Sequence, residues 1–126
     1  MLIIPTVRLP ARDWTRLMLL VFDSEGECHP VASFLRNEVH RAIVLDDDEC
    51  ARDIVCLNSW VTYVVDWQIS ETRLLVHPDD YESSKLHLSV LSPIGAALLG
   101  LRIGDCMPFV GVEDNFHVVR PLAVRR

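Results

Sequence analysis

The 126-residue sequence predicts an α+β fold: a short N-terminal antiparallel helical hairpin, then an antiparallel β-sheet domain carrying one short helix. Three observations predict it. Apolar residues in the first part of the chain recur at helical spacing, while from residue 53 onward β-branched and aromatic runs alternate with turn residues. Residues 89–105 set a Ser-Pro corner ahead of a short apolar run that ends in two glycines. The expected division is residues 1–50 for the hairpin and an acidic linker, and residues 51–126 for the sheet domain.

The elements follow in order. Over residues 10–22, Trp14, Leu17, Met18 and Val21 fall at i, i+3, i+4 and i+7, one face of a helix, and Asp13 complements the positive end of its first turn. Asp23, Ser24, Glu25, Gly26 and Glu27 break that pattern and predict an acidic loop. Pro30 suits a helix start, and Val31, Leu35, Val39 and Ala42 mark the buried face of a second helix, antiparallel to the first across the short turn. Asp46, Asp47, Asp48 and Glu49 read as a solvated linker, because consecutive acids on an extended chain rarely converge on Mg²⁺. Strands are expected over residues 60–65, 72–77, 86–91, 107–110 and 116–122, with turn chemistry at 79–84 and 113–115. Ser92 can cap the next helix, Pro93 has the fixed φ of a first helical position, and the helix occupies residues 94–99. Gly100 is placed for a left-handed stop, and Gly104 for a turn with positive φ before the next strand.

Composition excludes several classes. Half the residues are hydrophobic, enough for a core and against disorder. The formal charge is −6, shared evenly: residues 1–52 and 53–126 each hold nine acids and six bases, so neither half is a basic nucleic-acid footprint. The apolar start Met1-Leu2-Ile3-Ile4 is cut by Pro5, too short for a signal or a membrane span, so a cytoplasmic protein is expected, with Cys28, Cys50, Cys56 and Cys106 reduced. The cysteine spacings fail zinc templates, and Cys28-His29 alone makes no metal site. There is no nucleophile elbow or phosphate loop; His29, His40, His77, His87 and His117 are scattered, and Asp79-Asp80 reads as turn capping. No catalytic residue, metal or cofactor is expected.

One resemblance covers nearly the whole chain. Residues 89–105, with Ser92-Pro93-Ile94-Gly95 and the stops Gly100 and Gly104, resemble the C-terminal signature of the Gre-factor (GreA/GreB) superfamily of RNA polymerase-binding transcription factors. Asp53-Ile54-Val55-Cys56-Leu57-Asn58-Ser59-Trp60-Val61 is similar to the family's strand-opening pattern, and Arg73-Leu74-Leu75-Val76-His77-Pro78 to its Val-Tyr-Pro strand. Trp60 stands where a basic residue is common, and His77 where Tyr is common. Pro5-Thr6 and residues 34–42 have the spacing of the Rnk-like branch, the regulators of nucleoside diphosphate kinase.

The resemblance implies an FKBP-like sheet domain that docks on the rim of the polymerase secondary channel, with Ser92, Pro93, Gly95, Gly100 and Gly104 as its signature. Cleavage-stimulating members carry acids at the tip of a long coiled coil, where they help hold a catalytic Mg²⁺. Here Asp23, Glu25 and Glu27 occupy that tip, so they are the expected RNA polymerase contacts. The expected function is a regulator that competes with Gre-type factors without stimulating cleavage, touching DNA only through the transcription complex. The alternative is a peptidyl-prolyl isomerase, which would need Trp60, Tyr63, Trp67, Phe109 and Phe116 to converge on one pocket.

Overall fold

The fold is seen in a computed structural model, whose described residues are 4–25, 29–47 and 52–126; of Ser24 and Glu25 the backbone alone is described. It is a mixed α+β fold with three α-helices among the described residues and a curled five-stranded sheet.

The chain enters through β1 (Arg8–Pro10) and passes directly into α1 (Ala11–Glu25), followed by α2 (Ala32–Arg41) and β2 (Ile43–Leu45). The helical spacing read from the sequence is the packing face: Leu17, Val21, Leu35 and Val39 are buried, and Trp14 and Met18 pack against them. Trp14, at the start of α1, donates its indole N–H to the Val39 carbonyl near the end of α2, at 3.2 Å. Each fully buried Leu or Val contributes about 1.5–3 kcal/mol relative to an exposed one.

Two features of this region correct the sequence reading. Asp23 and Glu25 lie in the last turn of α1 and not in a loop, because the apolar run Leu19 to Phe22 carries the helix through the acids before any glycine is reached. Glu27 lies outside the described residues, as do the linker acids Asp48 and Glu49. Strands β1 and β2, which pair in parallel with Leu9 opposite Val44, were not expected in the helical part.

The main sheet has the order β5-β4-β3-β7-β6, from β3 (Trp60–Val65), β4 (Glu71–Val76), β5 (His87–Ser89), β6 (Met107–Val110) and β7 (Phe116–Arg125). β3 pairs antiparallel with β4 and β7, and β6 with β7, but β4 and β5 are parallel. The sheet is therefore mixed where an antiparallel one was expected. The 3-10 turn Pro78–Asp80 begins the segment that carries the chain back, so that β5 starts at the same end as β4. Short helix α3 (Pro93–Leu98) packs on the sheet, with Ala96, Ala97 and Leu98 fully buried beside Leu75, Met107 and Val119.

Helices and sheet share one core and specific polar ties. Asp13, 6% exposed, accepts a hydrogen bond from the Leu57 backbone N–H at 2.9 Å. Arg16 pairs with Asp80 at 2.9 Å, and the Arg8 N–H donates to the Gly100 carbonyl at 3.0 Å.

Candidate functional site

The Ser-Pro corner is built by side-chain capping and a close backbone approach. Ser92 has extended backbone (φ −92°, ψ 156°); its hydroxyl accepts from the Gly95 N–H at 3.0 Å and donates to the Ser89 carbonyl at 2.6 Å. Pro93 then opens α3 without wasting a donor. Gly95 is required by space: a Cβ there would lie 2.1 Å from the Ser89 carbonyl oxygen. Gly100 has φ +74°, and a Cβ would also meet the Val7 side chain at 2.4 Å where the chain passes into β1. Gly104 has φ +92°, with open space around it and its N–H donating to the Pro121 carbonyl at 2.9 Å. Of these five, Ser92 and Pro93 border a cleft whose lining does not include the three glycines.

That cleft, of about 620 Å³, lies between α3 and the sheet. Tyr63, Val65, Leu88, Ile94 and Phe109 give it apolar walls, and Gln68, Glu71, Glu113 and His117 contribute polar groups. Ile69 and Val112 line it while remaining 88% and 90% exposed. A second hollow, of about 860 Å³, shares Pro93, Phe109, Gly111 and Val112 and extends toward Val31 and Phe34 near the start of α2 and to Phe116 on β7. Apolar walls with a few placed polar groups are the make-up of a binding surface.

Two of these polar groups, Glu71 and His117, are tied in place. Asp66 and Trp67 both have positive φ (53° and 57°), and the Gln68 N–H donates to the Val65 carbonyl at 3.1 Å, so residues 65–68 form a type I′ turn. Asp66 accepts from the Val118 N–H at 2.9 Å and pairs with His117 Nδ1 at 2.7 Å. The His117 hydrogen bond, helped by the Val118 N–H, holds the Asp66 carboxyl below its ordinary range. The His117 imidazole in turn lies against the Phe109 ring, centroids 5.5 Å apart. Tyr63 is buried, which pushes its phenol up, against a 2.6 Å hydrogen bond from Arg73 that favours the phenolate; Arg73 also pairs with Glu71. None of this cluster was legible in the sequence, since Asp66 and His117 are 51 positions apart and only the bulged β3–β7 register brings them together.

The other candidates fall elsewhere. Asp23 is exposed at the far end of α1, and Glu25 shares that last turn. Of the five aromatics considered for an isomerase pocket, Tyr63 and Phe109 line the first cleft, whereas Phe116 reaches only the second hollow and Trp60 and Trp67 line neither. Three histidines serve turns through Nδ1: His29 accepts from the Val31 N–H, His77 from Asp79 and His87 from Glu82. Among the described residues no three His, Cys, Asp or Glu side chains are grouped to hold a metal ion, and no helix is long and apolar enough to cross a membrane.

Comparison with known proteins agrees with this architecture. The family model for "Transcription elongation factor, GreA/GreB, C-term" matches residues 50–118. A protein of Escherichia coli (strain K12) named "Regulator of nucleoside diphosphate kinase" is 36% identical over 120 residues, which cover 91% of this chain and 88% of that protein. "Transcription elongation factor GreA" of Clostridium botulinum is 32% identical over 94 residues, 73% of this chain and 58% of that one. Among solved structures, a "Prokaryotic transcription elongation factor GreA/GreB from Nitrosomonas europaea" superposes with a TM-score of 0.77 at 30% identity, covering 96% of this chain and 100% of that chain. These relatives are named as regulators and elongation factors, and none points to the isomerase alternative. With the family match over more than half its length and the regulator similarity over nine-tenths of it, the chain belongs to the GreA/GreB family of transcription elongation factors.

Proposed function

We propose that this chain is a transcription regulator that docks on RNA polymerase near the secondary channel, competes there with Gre-type elongation factors, and does not itself stimulate transcript cleavage. Residues 51–126 act as the docking unit and residues 1–50 as the arm. The docking face is the apolar surface beside Ser92 and Pro93, where exposed Ile69 and Val112 flank the cleft and Glu113 adds an acidic group suited to a basic partner. No chemistry is required of it: Asp66 is paired with His117 and Glu71 with Arg73.

The observation that carries the absence of cleavage is the length of the arm. Helix α1 has 15 residues, so at ~1.5 Å per residue it spans about 22 Å. The chain covers 88% of the regulator-type relative but only 58% of the length of the GreA relative. Asp23, Glu25 and Glu27 then meet the channel entrance and stop short of the catalytic Mg²⁺. Carboxylates are suitable Mg²⁺ ligands, but only at ligand distance.

Equilibrium competition on core RNA polymerase with labelled GreA tests the docking, and simultaneous saturable binding of both proteins would defeat it. Backtracked complexes test the arm. Pure protein should leave their transcripts intact, and the Asp23→Ala, Glu25→Ala, Glu27→Ala triple variant should change affinity alone. Shortened transcripts with the wild type that disappear with the triple variant would overturn the short-arm argument.

A further inference from the structure

We infer that the outward face of α1 is a self-association surface, on which a second copy of this chain packs its own α1 in antiparallel orientation. The inference does not depend on the polymerase reading. The inner face of α1 is accounted for by Leu17 and Val21 in the core. Its opposite face carries Arg12, Thr15, Leu19, Phe22 and Asp23, which recur every three or four residues and therefore share one side of the helix. Leu19 is 65% exposed and Phe22 78% exposed, so two large apolar side chains stand in water near the middle and far end of that side.

The charges flanking them identify the occupant. Arg12 lies at the start of the face, its guanidinium in a long 3.9 Å contact with Asp13 of its own chain but with 58% of its side chain exposed, and Asp23 lies at its end, also exposed. They are eleven positions apart, about 16 Å of helix at ~1.5 Å per residue. Two such helices laid antiparallel about a two-fold axis level with residues 17–18 bring Arg12 of each copy to Asp23 of the other, with the two Leu19 side chains meeting near the centre and Phe22 packing beside each charged end. A parallel arrangement would set like charges together. The face is thus complementary to itself under the operation that an isologous dimer requires. Arg16, on the flank of this face, is held by Asp80 of its own chain and is not needed. One short helix pair makes a small interface, so the dimer should be weak and concentration-dependent.

Sedimentation equilibrium of the full chain from about 1 μM to about 1 mM covers the range expected of such an interface. The average mass should rise from 14.3 kDa toward twice that value. Phe22→Glu should abolish the rise, and Arg12→Asp and Asp23→Arg should each weaken it at least tenfold. An equimolar mixture of Arg12→Asp and Asp23→Arg proteins should recover association, because every end contact is again of opposite sign; far-ultraviolet circular dichroism checks that each variant is folded. A mass of 14.3 kDa throughout, association unaffected by Phe22→Glu, or a mixture no better than its components would each overturn the proposal. A monomer whose Phe22→Glu variant loses only polymerase affinity would assign this face to the polymerase instead.

Discussion

Asp13 permits a quantitative test of how the helices are fastened to the sheet. Its carboxylate is 6% exposed and accepts from the Leu57 N–H at 2.9 Å, with Leu57 itself 7% exposed. Asp13→Ala removes the acceptor and leaves a buried backbone donor unmet, a loss of about 1–3 kcal/mol. For a 126-residue domain each kcal/mol moves Tm by about 4 °C, so the alanine variant should melt about 4–12 °C lower. Asp13→Asn keeps an acceptor and removes the charge. Burial raises the Asp13 pKa above 3.8 despite the Leu57 hydrogen bond and the Arg12 charge, so the folded state favours the protonated acid. Its stabilising contribution is complete below 3.8 and is lost as pH rises through the folded value, whereas asparagine does not titrate. The Asn variant should gain on wild type across that window and at neutral pH lie within about 1 kcal/mol of it, after the lost helix-end charge is included. Differential scanning calorimetry as a function of pH measures both variants. If Asn at neutral pH were as damaging as Ala, the negative charge itself would be the fastening, and the burial argument would fail.

Other substitutions discriminate between crowding and backbone conformation. Gly95→Ala pushes a methyl within 2.1 Å of the Ser89 carbonyl and should cost at least about 3 kcal/mol in a denaturant titration, although its φ is ordinary. Gly104→Val meets open space, so its cost should be only the positive-φ strain of about 1–3 kcal/mol; an unchanged melting temperature would contradict the φ of +92°. Asp66→Ala should flatten the acid limb of the stability profile, because a carboxyl held below 3.8 contributes stability above that value and loses it as pH falls through the folded one. An acid limb identical to wild type would show that the Asp66–His117 pair is not formed in solution.

What the sequence revealed was whatever a local rule controls. The burial of Leu17, Val21, Leu35 and Val39 follows from spacing along a single helix, and the Ser92 cap and the positive φ of Gly100 and Gly104 follow from the chemistry of a few adjacent residues. The failures have the opposite character. Strands β1 and β2 have three residues each, too few to display alternation, and exist because the chain before α1 lies beside the chain after α2. The parallel sense of β5 depends on where residues 77–86 cross, which no periodicity records. Asp13 looked like a helix-end charge and is one, but it is buried and its hydrogen-bond donor is the Leu57 N–H, 44 positions away.

The candidate site divides along the same line. Ser92, Pro93 and Gly95 could be picked out because a tight corner demands those residue types in that order, yet the corner only frames the cleft. Its walls come from β3, β5, α3, β6 and β7, and its electrostatics from an Asp66 and a His117 that neither a motif nor a spacing links. Trp67 is the telling residue: a bulky side chain held at φ +57° and 62% exposed, where Gly or Asn would be relaxed. Its backbone is kept there by Asp66, whose side chain receives the Val118 N–H and the His117 contact and so clamps the turn to β7. The same clamp sets His117 against Phe109 at the cleft wall. Loosening the turn would therefore alter the proposed docking face without touching the signature residues.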